Sequence, residues 1–176
     1  MASILVIYST TDGHTRRICE RLRTVLERHG HQVTVASIRD EPLPELSVFD
    51  KIVIGASIRY GKHSPLVFDF VRRNQKILDS KPNAFFSVNV VARKPEKSRP
   101  ETNPYVKKFL KRIAWKPKQL DVFAGRIDYP SYTPVDRMVI RLIMWITKGP
   151  TDPQAVVEFT DWRRVEAFGA VIAAMQ

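Results

Sequence analysis

The sequence predicts a doubly wound α/β domain on a mostly parallel five-stranded sheet. Short apolar, β-branched runs alternate with segments of helical periodicity along all 176 residues, and right-handed crossovers leave such an alternation little other choice. The runs at Ser3–Tyr8 and Lys51–Ala56 are continuously apolar, as strands covered on both faces are. Three loops, Ser9–His14, Ser57–Lys62 and Asn89–Arg99, leave strand ends and are rich in hydrogen-bonding or glycine residues. Ligands of these sheets bind beyond the carboxyl ends of the strands.

After the first strand, Ser9-Thr10-Thr11-Asp12-Gly13-His14-Thr15 opens directly into a helix. The unpaired N–H groups and positive end of such a helix attract an anion, the hydroxyls can donate to phosphate oxygens, and Gly13 lets the backbone bend close. The glycine spacing of a dinucleotide fingerprint and the Gly-Lys-Ser/Thr of a triphosphate loop are both missing, which leaves a mononucleotide phosphate. A plain Ser/Thr/Asp cap explains one or two of these residues but not five.

The helix carries Ile18, Leu22, Val25 and Leu26 on one face and stops at Gly30. Cys19, at the edge of that face, reads as a small core residue. Gln32 to Ile38 alternates as a strand, and a loop with Pro42 and Pro44 follows. After Lys51–Ala56 and its loop, a helix begins at Ser64-Pro65 with Leu66, Phe70, Val71, Ile77 and Leu78 apolar. Asn83–Asn89 is the fourth strand, and a basic, Pro-containing loop runs to Pro100. A helix over Tyr105–Ile113 turns Val106, Phe109, Leu110 and Ile113 inward. Leu120–Ile127 reads as the fifth strand. The chain closes on a helix capped by Thr160 or Asp161, burying Trp162, Val165, Phe168, Gly169 and Ile172.

Residues 129–153 interrupt the alternation as a helical insert between the fifth strand and the last helix; no second domain is expected. Drawn as a helix, the insert places Arg137, Arg141 and Lys148 within ~40° of one another on an otherwise apolar cylinder about 20 Å long. With Trp145 and Tyr132 nearby, this suits an interfacial helix meeting an anionic membrane or a lipophilic partner. A helix buried on the protein's own core, or a homo-oligomer interface, remains the alternative.

Hydrophobic residues make up 44% and charged residues 27% of the chain, a globular composition. The N-terminus runs straight into a strand, so no secretory signal is expected, and no run of ~18 apolar residues spans a bilayer. One cysteine excludes an internal disulfide and fits a reducing compartment. His14, His29, His31 and His63 have no partners at metal-ligand spacing, so no metal is expected. The net charge of +11 favours polyanions. The basic residues are spread over several elements without interleaved stacking aromatics, which argues against nucleic acid.

The stretch from Val6-Ile7-Tyr8 through Thr10, Gly13 and Thr15 to Leu22 resembles the flavodoxin phosphate signature. Gly55–Gly61, Ser87–Lys97, Thr160-Asp161-Trp162 and Asp136-Arg137 with Arg141–Met144 resemble one flavodoxin-like family more closely: the quinone-dependent protoporphyrinogen IX dehydrogenases of bacterial haem biosynthesis. The resemblance covers essentially the whole chain. It implies strand order 2-1-3-4-5, FMN as cofactor, protoporphyrinogen IX as electron donor, and menaquinone or ubiquinone as acceptor at the cytoplasmic face of the inner membrane. Carried over by residue, it implies that Ser9, Thr10, Thr11, Gly13, His14 and Thr15 surround the phosphate. Ser57, Ile58, Arg59, Tyr60 and Gly61 would border the flavin ring on one side, and Ser87, Val88, Asn89 and Ala92 on the other. Arg59, Arg93, Lys94 and Lys97 are candidate partners of the porphyrinogen carboxylates; Arg137, Arg141, Trp145 and Lys148 are candidates for membrane or quinone contact. No catalytic side chain is implied, since the flavin carries the chemistry. The chain departs from carrier flavodoxins in being basic, and in lacking an aromatic between Val88 and Lys97, which leaves Tyr60 as the one obvious ring partner. An FMN-dependent NAD(P)H:quinone oxidoreductase or an electron carrier is the alternative on the same fold.

Overall fold

A computed structural model describes residues 1–176. In chain order its elements are β1 (Ser3–Ser9), α1 (His14–Arg28), β2 (Gln32–Ser37), β3 (Lys51–Arg59), β4 (Lys62–His63), α2 (Pro65–Ser80), β5 (Asn83–Asn89), α3 (Pro104–Arg112), β6 (Gln119–Ala124), β7 (Arg126–Asp128), α4 (Pro134–Ile146), β8 (Val156–Glu158) and α5 (Trp162–Ala174). The parallel strands run β2-β1-β3-β5-β6. This is the expected 2-1-3-4-5 order once the short β4, paired antiparallel to the end of β3, is set aside.

Side-chain alternation along the strands divides the core in two. Phe85 faces α2 and α3, stacking on Phe109 with ring centroids 4.3 Å apart and meeting Trp115 edge-on. Its neighbour Phe86 points the other way, into a cluster with Phe123 and Phe168 under α1 and α5. Cys19 is fully buried there, where helix meets sheet. Gly55 lies opposite Phe86 in register, and a Cβ on it would stand 2.3 Å from the ring. The glycine therefore lets that ring lie across the strand.

Three elements differ from the sequence expectation. The fifth strand does not continue to Ile127: it ends at Ala124, and after Gly125 the chain enters β7, which pairs antiparallel with β8. This second, two-stranded sheet forms the base of the insert. The loop after β3 is a two-residue hairpin, Tyr60-Gly61, with both residues at positive φ (50° and 73°); twist-matched hairpins require this, and it costs Tyr60 more than Gly61. Within the basic loop, Val90–Arg93 and Pro95–Lys97 form short 3-10 turns. Of the two caps expected for α5, Asp161 serves, accepting from the Arg163 and Arg164 N–H groups.

Candidate functional site

The carboxyl ends of β1, β3 and β5 open onto one cleft enclosing about 1010 Å³ of empty space out to its mouth. Thr10, His14 and Thr15 line its floor, residues 57–61 one side, and residues 88–91 the other.

The floor is built to receive an anion. Gly13 sits at the N-terminus of α1 with φ 84°; no side chain caps the helix, and its first turn has no acidic residue. The exposed N–H groups and the dipole are thus uncompensated. Thr10 Oγ1 accepts from the Gly13 N–H at 3.0 Å, fixing the turn. Thr15 Oγ1 is buried with no partner, a cost unless a ligand oxygen occupies the space beside it. Ser9 is buried at the end of β1, whereas Thr11 is exposed and does not line the cleft.

His14 lines the floor, and its ring is anchored from behind. Its Nε2 lies 2.6 Å from Thr160 Oγ1, and the Thr160 hydroxyl donates to the Ala124 carbonyl at 2.7 Å. Thr160 has one proton, so the network assigns the N–H of His14 to Nε2. Nδ1 is left without a hydrogen bond, 3.9 Å from Glu158, whose carboxylate is held by Arg17 and the Trp162 indole. The His14 ring therefore ties the phosphate turn to the chain after β8, while its backbone N–H belongs to the uncapped first turn of α1.

On the β5 side, Ser87 is fully buried, bonded to His63 Nε2 at 2.8 Å and to Asn89 Nδ2 at 3.2 Å. Asn89 and Asn103 exchange amide hydrogen bonds at 3.0 and 3.3 Å, Asn103 donates to the Lys97 carbonyl, and Asn89 Oδ1 accepts from the Ala92 N–H. Ser87 and Ala92 thus shape the loop from beneath, whereas Val88 and Asn89 line the cleft. Burial holds His14 down at about 4 and His63 down at about 3. The unfolded chain takes up these protons near pH 6.5 and the folded chain does not, so their stabilising contribution is complete above ~6.5 and is lost as pH falls from there towards 4. Thermal melts should show each histidine withdrawing about 2 kcal/mol by pH 5, with His63→Asn removing its share of the slope. A pH-independent difference between that variant and the parent would contradict burial in the neutral form.

Of the four cations nominated for substrate carboxylates, the two arginines are already engaged. Arg59 is paired with Asp12 at 3.0 Å and Asp136 at 3.6 Å, and its guanidinium stands near the rings of Tyr60 and Tyr132. Arg93 donates to the carbonyls of Val90 and Thr147 and to the Thr147 hydroxyl. Lys94 and Lys97 do not line the cleft.

The insert supplies the wall that the sequence leaves open. Tyr132, Ile140, Ile143 and Met144 face the cleft, as do Tyr105 from α3 and the Gly125–Asp128 stretch. Arg137 and Arg141 donate to the carbonyls of Tyr129 and Thr151, bracing the insert. Lys148 lies past the end of α4, so it does not extend their seam along the helix. The opposite face of α4 presents Val135, Met138, Leu142, Trp145 and Ile146, each between 56% and 72% exposed. The helix thus has one apolar face packed on the cleft side of the protein and a second that is exposed.

The family description of the flavodoxin domain matches residues 5–154. A protoporphyrinogen IX dehydrogenase [quinone] of Escherichia coli strain K12 is 44% identical over 169 residues, covering 96% of this chain and 93% of the relative. The chain belongs to this flavodoxin-like dehydrogenase family. A relative of the same name from Leishmania major is 40% identical over 172 residues, 97% of this chain and 74% of its own length. Among solved structures, flavodoxin 2 of Bacillus cereus superposes with a TM-score of 0.55 at 18% identity, over 98% of both chains. For a flavodoxin-domain chain FMN is the group to be held, and the floor fits it: the orphaned Thr15 hydroxyl and the uncapped α1 N-terminus suit its phosphate. Ser57–Gly61 and Val88–Asn89 stand where its ring would lie between two loops. Asp12, Val90, Val91, Tyr105, the Gly125–Asp128 stretch, Ser131, Tyr132 and the inner face of α4 line the cleft without having been expected there from the sequence. The Pro-flanked Tyr129–Thr133 stretch was the available signal for Tyr132.

Proposed function

We propose that this chain oxidises protoporphyrinogen IX to protoporphyrin IX, with FMN in the cleft and a menaquinone or ubiquinone as final electron acceptor. The observation that carries the reading is the 44% identity over 96% of the chain to the E. coli dehydrogenase. Overall, six electrons and six protons leave the porphyrinogen and three quinones become quinols. When bound, FMN supplies the redox centre, so no acid–base or nucleophilic set is required of the protein. The protein's part is to hold and enclose. Ile127, Ile140, Ile143 and Met144 offer an apolar wall to a flat macrocycle, and charges inside the cleft are matched: Arg59 with Asp12 and Asp136, Arg126 with Asp128.

The chain is placed, on this reading, at the cytoplasmic face of the inner membrane as a peripheral protein. The exposed apolar stripe of α4, the neighbouring Lys148 and the net charge of +11 support contact with an anionic bilayer in which the quinone is dissolved. No helix is long and apolar enough to cross a membrane.

Turnover of the FMN-loaded protein tests the activity. Protoporphyrin fluorescence is expected to appear when quinone is supplied, and NAD(P)H is expected to leave the flavin absorbance unchanged. Rapid bleaching by NAD(P)H without porphyrin formation would instead make the chain an NAD(P)H:quinone oxidoreductase.

A further inference from the structure

We infer that the carboxylates of the substrate are received outside the cleft, by Lys62, Lys108 and Arg112 at its rim; the inference rests on the porphyrinogen reading above. Protoporphyrinogen IX carries two propionates on one edge of an otherwise apolar ring, so a site must solvate both charges. The cleft interior cannot do this well. Its two arginines are each ion-paired in place, and Asp12 and Asp128 on its lining would repel a carboxylate.

Ile58, Gly61 and Tyr105 form a wall whose other side is a small depression bordered by Lys62, Lys108 and Arg112. All three cations are exposed, and none makes an ion pair or a side-chain hydrogen bond; the Arg112 guanidinium lies 4.2 Å over the Phe68 ring, which orients it. Residues 104–118 carry six Lys and Arg and no acidic residue, so the depression lies on the most uniformly positive stretch of the chain. A macrocycle seated against Tyr105 with its propionate edge over Gly61 would keep its ring in the apolar cleft and bring both carboxylates to free donors. Gly61 suits the crossing because it adds no side chain to the rim. Charge-assisted bonds of this kind give affinity and also fix which edge of the ring enters.

The experiment is a comparison of KM for protoporphyrinogen IX and for its dimethyl ester, using FMN-loaded parent protein and the Lys62→Gln/Lys108→Gln/Arg112→Gln variant. The expected result is a rise of about tenfold in KM for the diacid, with KM for the ester unmoved. The parent's KM for the diacid should also climb between about 0.05 and 0.3 M salt, and that dependence should flatten in the variant. Lys108→Glu alone, an exposed helix position, should give the same direction should the triple variant fold poorly. An active parent and active variants with equal KM for the diacid would overturn this assignment while leaving the activity standing. A parent that oxidises neither compound would overturn both.

Discussion

Replacing Thr15 with valine is expected to weaken FMN binding about 30- to 100-fold while leaving the FMN-free protein at least as stable as the parent. The two effects have one cause. Thr15 Oγ1 is buried at the first turn of α1 without a hydrogen-bond partner, so the FMN-free fold bears its desolvation with nothing in return. Valine has nearly the same shape and removes the orphan. A phosphate oxygen beside the hydroxyl would receive a charge-assisted bond worth roughly 2–3 kcal/mol, which valine forfeits. Fluorescence titration of FMN into the FMN-free protein measures the first effect, and its thermal melt the second. Equal affinity, or a destabilised FMN-free variant, would show that the hydroxyl serves the fold and not the ligand.

The second large effect concerns α4. Changing Met138, Leu142, Trp145 and Ile146 together to glutamine is expected to reduce binding to anionic vesicles more than 100-fold with FMN content unchanged. Full burial of one large apolar side chain is worth about 1.5–3 kcal/mol, so even partial insertion of four exceeds the ~2.7 kcal/mol that 100-fold requires. FMN should stay, because the side chains facing the cleft are Ile140, Ile143 and Met144, which the variant keeps. Deleting residues 135–148 outright is a poorer test, since it also removes that inner wall. Sedimentation with vesicles containing phosphatidylglycerol reads the outcome. Undiminished binding would exclude the stripe as the membrane contact, and a change from a larger to a smaller particle in solution would assign it to a second copy of the chain.

The strands were legible because continuous apolar runs have few other uses, and the alternation of Phe85 and Phe86 places one ring in each half of the core. The end of the fifth strand was misread although its signal was present: Gly125 interrupts an otherwise strand-like run, and glycine inside a strand pattern commonly marks a break. The cleft was legible at the level of loops and less so at the level of side chains. Arg59 reads in sequence as a free cation because its partners Asp12 and Asp136 lie on the phosphate turn and on the insert, distant in the chain. Nothing local announces that the His14 ring is tied to Thr160, 146 residues away in the chain. Amphipathic pattern told that α4 had an apolar surface, but one helix can be apolar on two faces for two reasons, and only the packing of Met144 against Tyr129 and Tyr132 separates inner from outer.

Anaerobic mixing of the FMN-loaded protein with protoporphyrinogen IX, followed by a menaquinone analogue, tests the central claim most directly. The expected result is loss of the yellow flavin absorbance as porphyrin fluorescence rises, then recovery of the absorbance when the quinone is added. A flavin that stays oxidised in the presence of porphyrinogen, yet is bleached at once by NAD(P)H, would contradict it.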